Sequence, residues 1–182
     1  MLFRISRMRV VVAIIALAGF GIMSYLTYIH FANAKSFCDI TQEVSCDVVT
    51  TSIYSEIFGI PVSILGLGFF GVILLLVIYN RKGRVYQVIF LLTLFSLLPS
   101  LYLTSTEILF IKSICILCET SKALMLAILI ISFLETRQRA KITFSLVAPV
   151  LIAGLISAGV MFFVQSGGAT REDYTPFVAC MN

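Results

Sequence analysis

The residues of this 182-residue chain whose type and spacing suit redox chemistry are two pairs of cysteines. In Lys112-Ser-Ile-Cys-Ile-Leu-Cys-Glu-Thr-Ser121, Cys115 and Cys118 form a Cys-x-x-Cys pair where a short polar loop turns into a long apolar run. At a helix N-terminus the unpaired N–H groups and the dipole favour a thiolate, so one of the two is expected to be more acidic and reactive. The same spacing also serves as half of a zinc site. The second pair, Cys38 and Cys46, encloses Asp39-Ile-Thr-Gln-Glu-Val-Ser45, a short acidic ring if the two are bonded. Nearby cysteines in an oxidising compartment ordinarily form a structural disulfide. Exposed, easily reached disulfides are instead the labile and catalytic kind, and two dithiols in different surroundings pass electrons through a mixed disulfide. Such exchange requires a frame that puts all four cysteines on one side.

Composition identifies the frame. With 60% hydrophobic and 12% charged residues and a mean hydropathy of +1.07, the chain is far more apolar than a soluble domain. A spanning helix needs about 20 mostly apolar residues, and five runs qualify, at roughly 10–31, 60–79, 85–106, 114–134 and 142–164. The formal charge of +4 does not point to nucleic acid, because the basic residues lie in short clusters between the runs. The expected fold class is an all-α membrane protein: a helical domain over 1–165 and an external linker and tail over 166–182.

The clusters orient the spans. Arg4, Arg7 and Arg9 precede the first, Arg81, Lys82 and Arg84 separate the second from the third, and Arg137, Arg139 and Lys141 separate the fourth from the fifth. Five spans put these three clusters on one side and leave Lys35, Lys112 and Arg171 on the other. The positive-inside rule makes the N-terminus cytoplasmic, so all four internal cysteines and the C-terminus lie outside. The basic start and Ala32-Asn33-Ala34 resemble a signal peptide and its cleavage site. The apolar stretch exceeds the usual h-region of about 7–15 residues, so a retained helix is expected.

Along this frame, Ser24 and Tyr28 would give the first helix a polar strip, and His30 reads as an interface residue. Val48, Val49, Ile53, Ile57 and Phe58 have the spacing of a short amphipathic half-helix in the interface plane, ended by Gly59 and Pro61. Gly66, Gly68 and Gly71 allow close approach of a backbone or a flat ligand. Thr93, Ser96, Ser100 and Thr104 line one face of the third span beside Pro99, and such a face belongs inside the bundle. Glu107 and Lys112 read as interfacial; Lys122 is expected to reach outward and Glu119 to face water. The fifth span, with Pro149 and no ionisable residue, reads as peripheral.

A buried dithiol at the mouth of such a bundle meets only what comes from the bilayer. A lipid-soluble two-electron acceptor fits, and a quinone offers a flat ring and two carbonyls for hydroxyl partners. The rival is a structural or zinc-binding membrane protein with a four-cysteine site at the outer face. A c-type haem site is excluded because Glu119, not His, follows Cys118.

Cys38-(x)7-Cys46, Ser52, Phe58-Gly-Ile-Pro-Val-Ser63 and Ile114-Cys-Ile-Leu-Cys118 together resemble the vitamin K epoxide reductase family, above all its bacterial homologues, over roughly residues 10–135. The resemblance implies a four-helix bundle around a quinone, capped by an outer half-helix, with a peripheral fifth helix. It implies that Cys38 and Cys46 relay electrons from a thioredoxin-like partner to Cys115 and Cys118, with Cys118 facing the quinone and Cys115 exchanging with the loop. Ser52 matches the family's serine near the ring; with Ser55, Phe58 and Ser100 it makes up the candidate cofactor contacts. The acceptor implied is of the menaquinone, ubiquinone or vitamin K type, in a multi-pass protein of the bacterial cytoplasmic membrane that drives disulfide formation in exported proteins. Two departures bear on this. Many bacterial relatives continue into a fused thioredoxin-like domain, whereas this chain stops at Asn182, so a separate partner is expected and Cys180 has no counterpart. Vertebrate members carry a tyrosine where Lys122 stands, so quinone rather than epoxide is the expected substrate.

Overall fold

The computed structural model describes residues 2–32, 36–39, 44–50, 52, 55–57, 59–79, 85–137 and 143–169, with side chains except at 2–6, 137, 143–145 and 166–169. Five long helices are present: α1 (Leu2–Ala32), α3 (Val62–Tyr79), α4 (Val85–Thr106), α5 (Ile116–Arg137) and α6 (Thr143–Ala169). Between α1 and α3 lie a five-residue helix, α2 (Cys46–Thr50), and a small antiparallel ladder of β1 (Glu56–Ile57) and β2 (Ile60–Pro61). The helices long and apolar enough to span a membrane cover Arg7–Ala32, Val62–Tyr79, Val85–Ile111, Ile116–Thr136 and Leu146–Gln165. This is an all-α membrane protein.

The third span runs past its expected end. α4 passes without a break into a π-helical turn over Glu107–Ile111, which stops at Lys112 in the left-handed conformation, φ 55°. At about 1.5 Å per residue, the 26 residues of the α1 span and the 27 of the α4 span are some 12 Å longer than the 18 of α3. α2 and the ladder lie at the end of the bundle where α1 stops and α3 begins. Helical spacing from Val48 to Phe58 led to a half-helix through that segment. The chain instead leaves the helix at Thr50 and reverses at Gly59, φ 76°, so that Glu56 pairs with Pro61 and Ile57 with Ile60. Glycine takes this φ without the Cβ clash that other residues meet.

α1 packs on α3 and α5, while α4 packs on α5 and α6; α3 and α4, consecutive in sequence, meet only slightly. Lipid is as apolar as leucine, so close packing and polar bonds hold such helices together rather than exclusion from water. Gly19 faces the fully buried Phe70, and Gly66 faces Met23, each so closely that a Cβ would overlap the facing side chain. Gly71 meets Phe20 in ordinary contact and Gly68 meets nothing, so two of the three glycines of α3 serve packing on α1. At the basic end, Arg9 Nη2 donates to the carbonyl of Val77 at 2.6 Å. Last-turn carbonyls have no partner in their own helix and favour a cation. The hydroxyl of Tyr102 donates to Gln165 Oε1 at 2.9 Å, joining α4 to α6. Of the two residues expected to form a polar strip on α1, Ser24 donates to its own helix at Phe20 O, and Tyr28 is exposed.

Gly19→Ala should therefore lower the thermal unfolding midpoint in detergent, since overpacking costs about 1–3 kcal/mol. Gly21→Ala, with open space around its Cβ, should leave the midpoint unchanged or raise it.

Candidate functional site

Cys38, Cys46, Cys115 and Cys118 meet at the end of the bundle opposite Arg9. Cys38 and Cys46 are joined in a disulfide with Cα atoms 5.8 Å apart; Cys115 and Cys118 are free thiols. Cys38, Cys46 and Cys115 are buried in one cluster with Leu26 and Ile29 of α1 and Val49 of α2, and Cys118 packs against it. The loop pair thus lies on the bundle instead of hanging in water. With two of the thiols bonded to each other, the four-thiolate zinc arrangement is not formed in this redox state.

Local bonds hold the loop there. Ser45 caps α2, its Oγ accepting from Val48 N–H at 3.2 Å. The Asp47 carboxylate accepts from Ser36 N–H at 3.0 and 3.2 Å, tying the two ends of the disulfide ring. Tyr25 of α1 stacks on Phe37 at 5.0 Å and accepts its N–H. His30, expected at the interface, clasps the cap to α1. Its Nδ1 lies 2.9 Å from Thr50 O and its Nε2 3.2 Å from Glu56 Oε1. Both partners are acceptors, so the two bonds form together when each ring nitrogen carries a proton.

Cys115 precedes the fourth span, and its sulfur accepts from the backbone N–H of Cys118 at 3.2 Å. The Cys118 thiol, donating to that sulfur, holds the Cys115 thiol below its ordinary range, against the opposing effect of burial.

Beneath the cap lies a cavity of about 310 Å³. Every long helix contributes to its wall: Met23 and His30 from α1, Gly66 and Phe69 from α3, Ser96 and Ser100 from α4, Cys118 and Lys122 from α5, Ser157 and Met161 from α6. The two cysteines of the Cys-x-x-Cys pair part company here. Cys118 borders the cavity, whereas Cys115 is fully buried on the side of the loop pair.

Of the candidate contacts, Ser52, Ser55 and Ser100 line the cavity, and Phe58 lies outside the described residues. Each of the three serines donates its proton to a backbone carbonyl, at Val49, Ser52 and Leu97 respectively, which leaves the oxygen to accept. The hydroxyl face of α4 divides: Ser96 and Ser100 reach the cavity, Thr93 is bonded to Ile89 O in the core, and Thr104 belongs to an ion cluster. Ser63 also borders the cavity, with a buried Oγ that bonds to no group among the described residues.

The largest departure from expectation concerns charge. Lys122 does not reach outward. Its Nζ donates to Thr104 Oγ1 at 2.6 Å, Glu119 Oε1 at 2.7 Å and Glu107 Oε1 at 3.3 Å. Glu107, expected at the interface, has a side chain only 6% exposed, and its Oε2 accepts the N–H of Cys115 at 3.3 Å. Glu119 keeps 37% of its side chain exposed. Lys112 is exposed as expected. The signal for this cluster was present as ionisable residues in apolar runs, but the partner of Lys122 stands 15 residues away across a turn. α6 is also less peripheral than its sequence implied, since Ser157 and Met161 close one wall. Cys180 lies outside the described residues.

Residues 10–133 fit the family model described as Vitamin K epoxide reductase family. The match takes in both cysteine pairs, the cap and four spans, and ends before α6.

Ultraviolet titration of the thiolate in a Cys180→Ser background should place the Cys115 midpoint below that of an ordinary thiol. Cys118→Ala, which removes the thiol donor, should move it upward.

Proposed function

The chain belongs to the vitamin K epoxide reductase family of membrane oxidoreductases, and we propose that it is a thiol:quinone oxidoreductase serving disulfide formation in exported proteins. Electrons pass from a thioredoxin-like dithiol protein outside the membrane to Cys38 and Cys46, then to Cys115 and Cys118, and finally to a quinone of the bilayer. The observation that carries this reading is the split placement of the inner pair: Cys115 packs with Cys46, and Cys118 borders the cavity.

The steps follow from thiol–disulfide chemistry. A partner thiolate attacks the Cys38–Cys46 bond, and a second partner thiol resolves the mixed disulfide, leaving the loop pair reduced. The Cys46 thiolate then attacks Cys115 of an oxidised inner pair and displaces Cys118, and Cys38 resolves the Cys46–Cys115 bond. The inner dithiol next gives two electrons to the acceptor and closes again as Cys115–Cys118. Burial of Cys115 keeps small oxidants from short-circuiting the relay.

The cavity suits a flat ring. Its wall is mainly apolar, with hydroxyls of Ser52, Ser55, Ser96 and Ser100 at separate points, and rotation of any of them turns an acceptor into a donor for a ring carbonyl. The basic clusters at 4–9, 81–84 and 137–141 support the proposed topology, with the N-terminus in the cytoplasm and the cysteines outside a bacterial cytoplasmic membrane.

Purified protein in detergent, given a reduced thioredoxin-like protein or dithiothreitol, should reduce a quinone. Cys118→Ser should abolish reduction while the loop pair still forms a mixed disulfide with the partner. Cys38→Ser should block the protein donor and leave slow turnover with dithiothreitol. Full turnover in all four single cysteine variants would sink the relay.

A further inference from the structure

Reduction of a quinone to a quinol consumes two electrons and two protons, and closing one S–S bond from two thiols releases the same number of each. Geometry separates the two protons. Cys118 borders the cavity and can hand its proton straight to one ring oxygen. Cys115 is fully buried among Leu26, Ile29 and Cys46, away from the cavity wall, so its proton has no direct way to the second oxygen. A different acid on the wall must supply it.

Among the described residues, the titratable groups that line the cavity besides Cys118 are His30, Glu107 and Lys122. His30 spends both ring nitrogens on the cap, at Thr50 O and Glu56. α3 and α6 add no titratable group to the wall. Glu107 and Lys122 remain, and they are continuous with the outside. Lys122 bonds to Glu119 at 2.7 Å, and Glu119 is the member of the cluster with a substantial share of its side chain exposed. The Thr104 hydroxyl lies 3.1 Å from the same Glu119 oxygen and 2.6 Å from Lys122 Nζ. The cluster also has the right charge count: two carboxylates share one ammonium, so a net negative charge sits where uncompensated charge is expensive, and one further proton is readily held.

We propose that Glu119, Lys122 and Glu107 form a proton relay from the outer face to the cavity, in which Lys122 is the acid that protonates the second oxygen of the quinone reduced at Cys118. The proposal rests on the quinone oxidoreductase reading. In each turnover Cys118 gives its proton to the first oxygen and Lys122 gives one to the second. Glu119 takes a proton from water and restores Lys122, and the Cys115 proton returns to water at the outer face. Glu107 holds Lys122 at the wall and, through the Cys115 N–H, couples its position to the reactive pair.

The test uses the full chain with dithiothreitol and a short-chain quinone, reading kcat and KM across pH. Lys122→Met should lower kcat by about 10²-fold or more, the range of a lost general acid. Lys122→Arg should stay equally slow, because arginine keeps the charge but does not release its proton. Glu119→Gln removes a half-exposed carboxylate and should fold normally. It should lower kcat by roughly tenfold, leave KM unchanged, make the rate rise as pH falls, and be rescued by added formate. Independently of turnover, infrared spectra of the protein without acceptor should show a carboxylic acid band that titrates and is lost in Glu107→Gln or Glu119→Gln. Wild-type rate and pH profile in Lys122→Arg or in Glu119→Gln, or no titrating carboxylate across the active pH range, would overturn the relay alone. No quinone reduction by the unaltered chain would overturn both the relay and the oxidoreductase reading.

Discussion

Packing of the loop disulfide against Cys115 is the contact on which the rest of this structure depends. Thiol–disulfide exchange needs sulfur atoms brought into line at bonding distance, and a polar loop has no intrinsic reason to stay at a membrane surface. Three kinds of bond keep it there. Leu26, Ile29 and Val49 give the sulfurs an apolar seat. Asp47 closes the ring from Ser36 to α2. His30, bonded to Thr50 and set against Glu56, fixes the cap to the same helix that supplies the seat. Each is modest, since a net hydrogen bond contributes about 0.5–1.5 kcal/mol. They act on a segment of few residues and hold both its ends.

The bilayer explains why the bundle is built with so little burial of large side chains. Residues such as Leu75, Ile78, Leu155 and Phe163 stay more than half exposed because their surroundings are lipid. Cohesion comes instead from Gly19 against Phe70, Gly66 against Met23, Arg9 on the end of α3 and Tyr102 on Gln165. These contacts join α1 to α3 and α4 to α6. The seam between α3 and α4 is left thin, and the cavity lies there, closed by α6 on one side and by the cap above.

Much of this was legible in the sequence because the membrane imposes long, uniform signals. Apolar run length counted the spans. The position of Cys118 in the first turn of a helix was likewise readable, whereas the bond between Cys38 and Cys46, left open by their spacing, came only with the structure. Shorter-range features were not. The segment from Val48 to Gly59 is too brief for periodicity to separate one helical turn plus a tight reversal from a continuous half-helix. Glu107 was misplaced for a different reason. The third apolar run was ended at 106, which put Glu107 in a short outer turn, whereas the helix continues through a π-helical turn to Ile111 and keeps Glu107 inside the span.

Burial of the Glu107–Lys122–Glu119 cluster is hard to account for as stabilisation. Desolvating Glu107 and Lys122 costs several kcal/mol each while Glu119 stays part-exposed, and hydrophobic replacements of buried ion pairs are often neutral or stabilising. The backbone departs from α-helix at this point: α4 continues into a π-helical turn that begins at the buried Glu107 and ends at Lys112, which has a positive φ. Both distortions lie within the few residues that separate the hydroxyl face of α4 from Cys115. Had the charges served only to anchor α4 to α5, a surface pair one turn further out would have done so at lower cost. Their position against the cavity wall, beside Cys118, the thiol among the described residues that borders it, is what the proposed proton relay accounts for.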